Sequence, residues 1–487
     1  MLLAGAAVIA FFSGGYFDEA RAWAGAGCWA CVVVGIAAGA RLPRGRPALI
    51  ALGGLALLAA WTLLSILWAP LAGNAYHAGQ IAMLYVGAVL AAAVLLHGRS
   101  LRIVEPALAC GALIVIGYGL SERLLPGLLQ FARSVSAEGR LEQPLTYWNA
   151  MGELAALGFV LCVRIAGDIT RAAWLRTTAA AAIAPLGIGL YITFSRGALF
   201  SCAAGLLTLV MVAPRREQLW ATLRSVASGA LAALSAATFK GVTALTGSVS
   251  TREREGAIVL ALLVIITVLA GLAQHVLSRR EGEGKLPMPA RTPLIAAAVI
   301  LAGLALAIVV GAHESSGASQ SLSGGATRLT SLQSNRYDYW SVALRAFAAE
   351  PVHGVGAGGW SVDWLRWRSV NEFAQDAHSL ELQTLAELGL VGLALLLTFL
   401  GGVALAARDA LRATPAAAGA VAALVTYIAH SPLDWDWQMP AVTLIAMILA
   451  GAVLATCGEA VISPQSSSAI RGASRRKIQT ANAHSAT

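Results

Sequence analysis

From Arg336 to Trp360 the chain reads RYDYWSVALRAFAAEPVHGVGAGGW, and from Asp376 to Gly392 it reads DAHSLELQTLAELGLVG. The run between them holds Arg366 and Arg368. This polar, tryptophan-bearing segment is set into a chain that is otherwise almost wholly apolar. Of 487 residues, 58% are hydrophobic and 12% charged, whereas a soluble domain is about a quarter charged. Mean hydropathy is +0.72. The contrast gives the fold class: all-α, a polytopic helical membrane protein with one large loop outside the lipid that itself contains short helices.

Working outward, apolar runs of the length needed to cross hydrocarbon as helix recur between short polar breaks. They fall at 1–13, 22–39, 47–69, 78–97, 103–120, 149–167, 174–194, 197–213, 223–246, 256–277, 292–312, 382–406, 415–430 and 438–457. About 12–14 transmembrane helices are therefore expected, the first being short and the one holding Lys240 weak. The organisation expected is a bundle over 1–312, a large loop over 313–381, closing spans over 382–460, and a disordered cytoplasmic tail over 461–487. The first span lacks a basic leader and runs into another apolar segment, so it reads as a retained helix and not a cleaved signal.

Basic residues alternate along the chain. Arg41, Arg44 and Arg46, then Arg99 and Arg102, then Arg164, Arg171 and Arg176 fall in every second loop, while 70–77 and 431–437 hold none. The positive-inside rule then puts the N-terminus in the cytoplasm and the Arg336–His378 loop outside it. The net charge of +9 is read as this topology signal seated against anionic lipid, and no nucleic-acid partner is expected. The six cysteines, including Cys28-Trp-Ala-Cys31, lie in or beside apolar spans and read as small buried thiols.

Within the loop, 313–335 is Ser/Gly-rich, Asn335–Glu350 has helical periodicity ended by Pro351, and 361–370 forms a further short helix. Its tryptophans and arginines suit the lipid–water boundary. Gly354, Gly356, Gly358 and Gly359 read as a turn and not a dinucleotide loop, since no strand precedes them. Candidate chemistry gathers on the outer face. Arg196, in TFSRGAL, either snorkels to headgroups or presents a planar fork to an anionic one. Arg336 either pairs with Asp338 or Glu372, or joins Arg196 in binding phosphate. His378 lies two residues after Asp376 and three before Glu381, where a carboxylate can tune it as a general base. Glu105, Glu153 and Lys240 lie in or near spans, and Glu153 is the best placed of them to line a site. Asp434-Trp435-Asp436 reads as a polar element of the last outer loop, placed to line the site, and no metal is assigned to it.

Taken together, TFSRGAL (Thr193–Leu199), the R-x3-W-x2-A-x3-F-x3-P-x2-G-x-G-x-G frame of Arg336–Gly358, A-H-S followed by L-A-E-L-G-L-V-G (Ala377–Gly392) and YWNAMGE (Tyr147–Glu153) resemble the O-antigen ligase / O-antigen polymerase family. The chain has Ser379 where many relatives have Asn. The resemblance implies transfer of a glycan from a polyprenyl diphosphate to an acceptor sugar at the outer face of the inner membrane, with no cofactor or metal. It implies that Arg196 and Arg336 grip the diphosphate and that His378 takes the proton of the incoming hydroxyl. Arg366, Arg368, Glu153, Asp376 and Trp340 are the further candidates for substrate contact. The partners implied are a lipid-linked donor, a glycan or glycolipid acceptor and the bilayer. The alternative is a transporter or flippase of a lipid-linked or anionic solute, which would place ionisable groups near the bilayer midplane and use paired broken helices.

Overall fold

The computed structural model describes residues 2–96, 101–280 and 335–459. The expected span 292–312, the stretch 313–334 and the tail 461–487 lie outside the described residues. Every other expected span overlaps a helix. The first half of the chain holds α1 (Leu2–Ala10), α2 (Asp18–Ala37), α3 (Arg46–Leu64), α4 (Ala72–Leu95), α5 (Leu101–Leu124), α6 (Trp148–Gly167), α7 (Ala173–Ile192) and α8 (Arg196–Val212). Then follow α9 (Arg216–Ala237), a single turn α10 (Lys240–Thr243), α11 (Val249–Arg280), and the two loop helices α12 (Arg336–Ala349) and α13 (Trp360–Trp367). The chain closes with α14 (Leu380–Ala413), α15 (Ala418–His430) and α16 (Pro440–Glu459). Among the described residues no strand occurs, and 9 helices are long and apolar enough to cross a membrane. The protein is a polytopic helical membrane protein.

One expected span is corrected. The helix over 223–246 starts earlier, at Arg216, and stops at Ala237. Phe239 is extended and Lys240 lies exposed on the following turn, so its charge is not carried inside the long helix. The thiol reading holds for Cys162 and Cys202, which are buried, but Cys110 is exposed on α5.

Helix α6 is the hub. It is buried along its length and packs against α5, α7, α8, α9 and α15. The second group is built on α3 lying along α14, with α4 between α2 and α16. Helices in lipid associate through close packing, which small residues permit. A Cβ on Gly54 would sit 2.6 Å from the Phe399 backbone nitrogen, and one on Gly402 would sit 2.4 Å from that of Ala51, so these two glycines let α3 and α14 touch backbone to backbone.

At the end of the bundle opposite the large loop, charges close on one another. Arg171 pairs with Glu105 and also donates to the Arg102 carbonyl. Arg164 pairs with Asp168 at 3.2 Å and donates to the Pro415 carbonyl at 2.9 Å. All four side chains are buried. The Glu105 carboxylate is thus matched inside the protein, as buried charge requires.

Candidate active site

The described part of the large loop, from residue 335 on, is a small folded unit. Tyr339, Val342, Ala343 and Ala346 on α12 face Trp360 and Trp364 on α13. The two indoles stack at 5.5 Å and 12°, and both are fully buried. This corrects the expectation of a headgroup belt: Trp364 spends its ring on the loop's own core and its N–H on the Glu372 carbonyl, 2.9 Å away. Trp367 is covered by the Arg345 guanidinium, 4.4 Å above its ring.

The glycines fasten this unit to the bundle. Helix α14 unwinds at Gly389, whose φ of 65° an L side chain rarely adopts. The carbonyls freed there are taken up, because Val355 N–H donates to Ala386 O and Gly356 N–H to Glu387 O. A Cβ on Gly354 would lie 2.3 Å from the Glu387 backbone, so the approach needs glycine. The expected turn is therefore a clasp that fixes the loop over the start of α14.

That start carries the histidine. Ser379 is the N-cap of α14, its hydroxyl accepting the Leu382 N–H at 3.4 Å. Asn is as good an N-cap as Ser, so the departure at this position keeps the local role. His378, at φ 52°, is half-buried and stacks on Tyr339 with ring centroids 4.9 Å apart. Its Nδ1 lies 3.0 Å from the Asp376 carbonyl oxygen. A carbonyl only accepts, so Nδ1 carries the proton and Nε2 keeps its lone pair. Burial holds the imidazole below its usual pKa; the Asp434 carboxylate pulls the other way and the Arg336 guanidinium reinforces the lowering.

Arg336, on the first turn of α12, pairs with Asp434 at 2.8 Å while keeping 19% of its side chain exposed. Neither of its sequence neighbours takes that place: Asp338 accepts from Ser369 and Glu372 accepts from Asn335. Asp434 is fully buried, and its other oxygen accepts the Tyr147 hydroxyl at 2.6 Å. Asn149 donates to that hydroxyl at 2.7 Å. Burial alone would raise Asp434, but Arg336, then His378, outweigh it and hold the carboxyl below its usual range. Trp435 bridges the pieces, its ring lying 4.6 Å from that of Tyr147 and 6.2 Å from that of His378.

The remaining candidates divide. Asp376 is buried, accepts from Gln383 at 2.9 Å, and is raised by burial. Arg196 opens α8 directly after its N-cap Ser195, and its neighbour Gly197 packs against the His430 ring at the same end of the bundle. Glu153 is fully buried and accepts the Ser201 hydroxyl at 2.5 Å. Trp340 packs against the loop core, edge-on to Tyr337. Arg366 stays exposed beside Asp363, and Arg368 folds back onto the Glu372 carbonyl, so neither is drawn to the His378 cluster. The sequence reading places Asp434 in a polar loop element lining the site without naming its partner, and gives Tyr147 no role beyond the YWNAMGE motif. The signal available was an acidic pair in a short outer loop without basic residues, on the face assigned to Arg336.

An apolar groove of about 660 Å³ runs between α1, α2 and α16, lined by Val8, Phe12, Trp23 and Ile448 among others. Tyr16, in the turn joining α1 to α2, donates to Gln375 at 2.8 Å and packs edge-on against Trp435 at 5.6 Å. The groove thus adjoins the polar cluster.

The candidate site is thus a half-buried imidazole with its pKa lowered, within electrostatic reach of a guanidinium, at one end of a helical bundle and next to an apolar groove. Residues 239–397, a stretch that contains Arg336, Asp376 and His378, match the O-Antigen ligase family model, so this part of the chain is similar to that family. No curated protein matches the chain.

Proposed function

We propose that the protein is an integral-membrane glycosyltransferase that moves a glycan from a polyprenyl diphosphate to an acceptor sugar at the outer face of the inner membrane. The observation that carries this reading is His378 with Nδ1 committed to the Asp376 carbonyl, close enough to the Arg336–Asp434 pair for both charges to act on its ring. The acceptor hydroxyl attacks the anomeric carbon, its proton passes to Nε2, and the bond to the diphosphate oxygen breaks. Negative charge grows on the leaving diphosphate. Arg336 and Arg196 meet that charge, and the N-termini of α8 and α14 add their positive ends nearby. The apolar groove suits the prenyl chain, which needs burial along its length while its head stays in the polar cluster.

The reading is tested by deleting the gene in its host and resolving the surface glycan by length. Short unpolymerised units indicate a polymerase, and full-length lipid-linked chains that fail to reach their acceptor indicate a ligase. A surface glycan unchanged in amount and length would overturn both.

A further inference from the structure

Behind the site lies a second cluster that the transfer step does not use. His430 ends α15, Asp436 lies in the short loop before α16, and Glu153 sits in the second turn of α6; all three are fully buried. The His430 Nδ1 pairs with Asp436 and lies 4.0 Å from the Glu153 carboxylate, whose oxygen also accepts from Ser201 on α8. Glu153 Oε1, His430 Nε2 and Asp436 Oδ1 find no hydrogen-bond partner among the described residues. Among the described residues no cluster of His, Cys, Asp or Glu is placed to hold an ion.

Two carboxylates and an imidazole away from water are a costly way to hold helices together, because their desolvation offsets their attraction. The better-attested use of such groups is to fix one register, and the neighbours show which register. Gly197 leaves just enough room for the imidazole: a Cβ there would lie 2.9 Å from Nε2. The residue before Gly197 is Arg196. Asp436 stands two residues after Asp434, which holds Arg336. Thr443 donates to the Asp436 carbonyl at 2.6 Å and so pins the same loop from α16.

We infer that Glu153, His430 and Asp436 form a positioning unit that sets the two arginines against each other, so that they meet one diphosphate together. The inference rests on the function proposed above. His430 touches no substrate. It acts through Asp436 on the Asp434–Arg336 pair, and through its packing on Gly197 on the start of α8.

The test is binding of inorganic pyrophosphate to the purified full-length protein, with Michaelis constants measured separately for lipid-linked donor and acceptor. His430→Ala is expected to weaken pyrophosphate at least about tenfold and to raise the donor KM in parallel, with the acceptor KM within about twofold of wild type. His430→Asn returns an N–H to the position of Nδ1 and is expected to recover pyrophosphate binding to within about threefold. Should the alanine variant fail to accumulate, Glu153→Gln, which keeps the shape and removes the charge, is expected to weaken pyrophosphate at least about threefold. Wild-type affinity for pyrophosphate in whichever of these variants accumulates would overturn the inference and leave the transferase reading standing. A wild-type protein that binds no pyrophosphate would overturn the arginine clamp itself, and this inference with it.

Discussion

The two ends of the bundle hold the same kinds of side chain and use them in opposite ways. At the end away from the loop, Arg171, Glu105, Arg164 and Asp168 are all buried and every charge meets an opposite charge or a carbonyl. At the loop end, Arg336 pairs with Asp434 yet keeps part of its surface open, and His378 is only half-buried with Nε2 left to accept. Closed pairs lock helices; the proposed function assigns the partly open cation to the donor diphosphate and the partly open imidazole to the acceptor. The difference separates scaffold from chemistry more sharply than residue type does.

The sharpest way to break the comparison is to substitute at both ends and separate turnover from folding. His378→Ala removes the base and is expected to lower turnover by at least about 100-fold while the protein still inserts at wild-type amount. Arg336→Ala is expected to lower kcat/KM for the donor by about 100-fold, since it removes a diphosphate contact and leaves Asp434 buried without its partner. Both effects are read in a transfer assay normalised to inserted protein. Arg171→Ala, at the closed end, is expected to do the reverse. It strands Glu105 in the interior, destabilises the fold by about 3–5 kcal/mol, and leaves turnover per folded molecule unchanged.

Much of this layout was legible in the sequence. Helix positions followed from apolar runs because lipid forces every backbone group into internal hydrogen bonds. Helix α12 followed from its 3.6-residue period, Arg336 and His378 from their place on one polar segment. The tryptophans misled, because a buried indole and an interfacial one have the same sequence signature and only the packing of Trp360 on Trp364 separates them. The partner of Arg336 was hidden for another reason. Asp338 and Glu372 are near in sequence, but Asp434 reaches the guanidinium from 98 residues away, across a turn between two later helices. Arg366 and Arg368 share the polar segment with Arg336, but Arg366 lies exposed beside Asp363 and Arg368, the C-cap of α13, donates to the Glu372 carbonyl, contacts that composition does not fix.

Smaller effects sharpen the contrast. His378 is held below the usual imidazole value of about 6.5, and the neutral ring is the active form. Activity is therefore expected to be retained as pH falls through 6.5 and to be lost only below it, an acid limb read from kcat/KM against pH. A limb at or above the ordinary value would contradict the burial argument. Arg366→Ala, on an exposed side chain outside the cluster, is expected to change turnover by less than about twofold. Ser379→Asn exchanges one good N-cap for another and is expected to be nearly silent in both stability and rate.

The central claim is that base and cationic clamp act on one lipid-linked diphosphate. It is met most directly by following release of polyprenyl diphosphate from a lipid-linked glycan in a single turnover, with wild type and His378→Ala side by side. The account predicts that the variant binds the donor within about threefold of wild type and releases almost none of it in the presence of acceptor. Release by His378→Ala at the wild-type rate would contradict it.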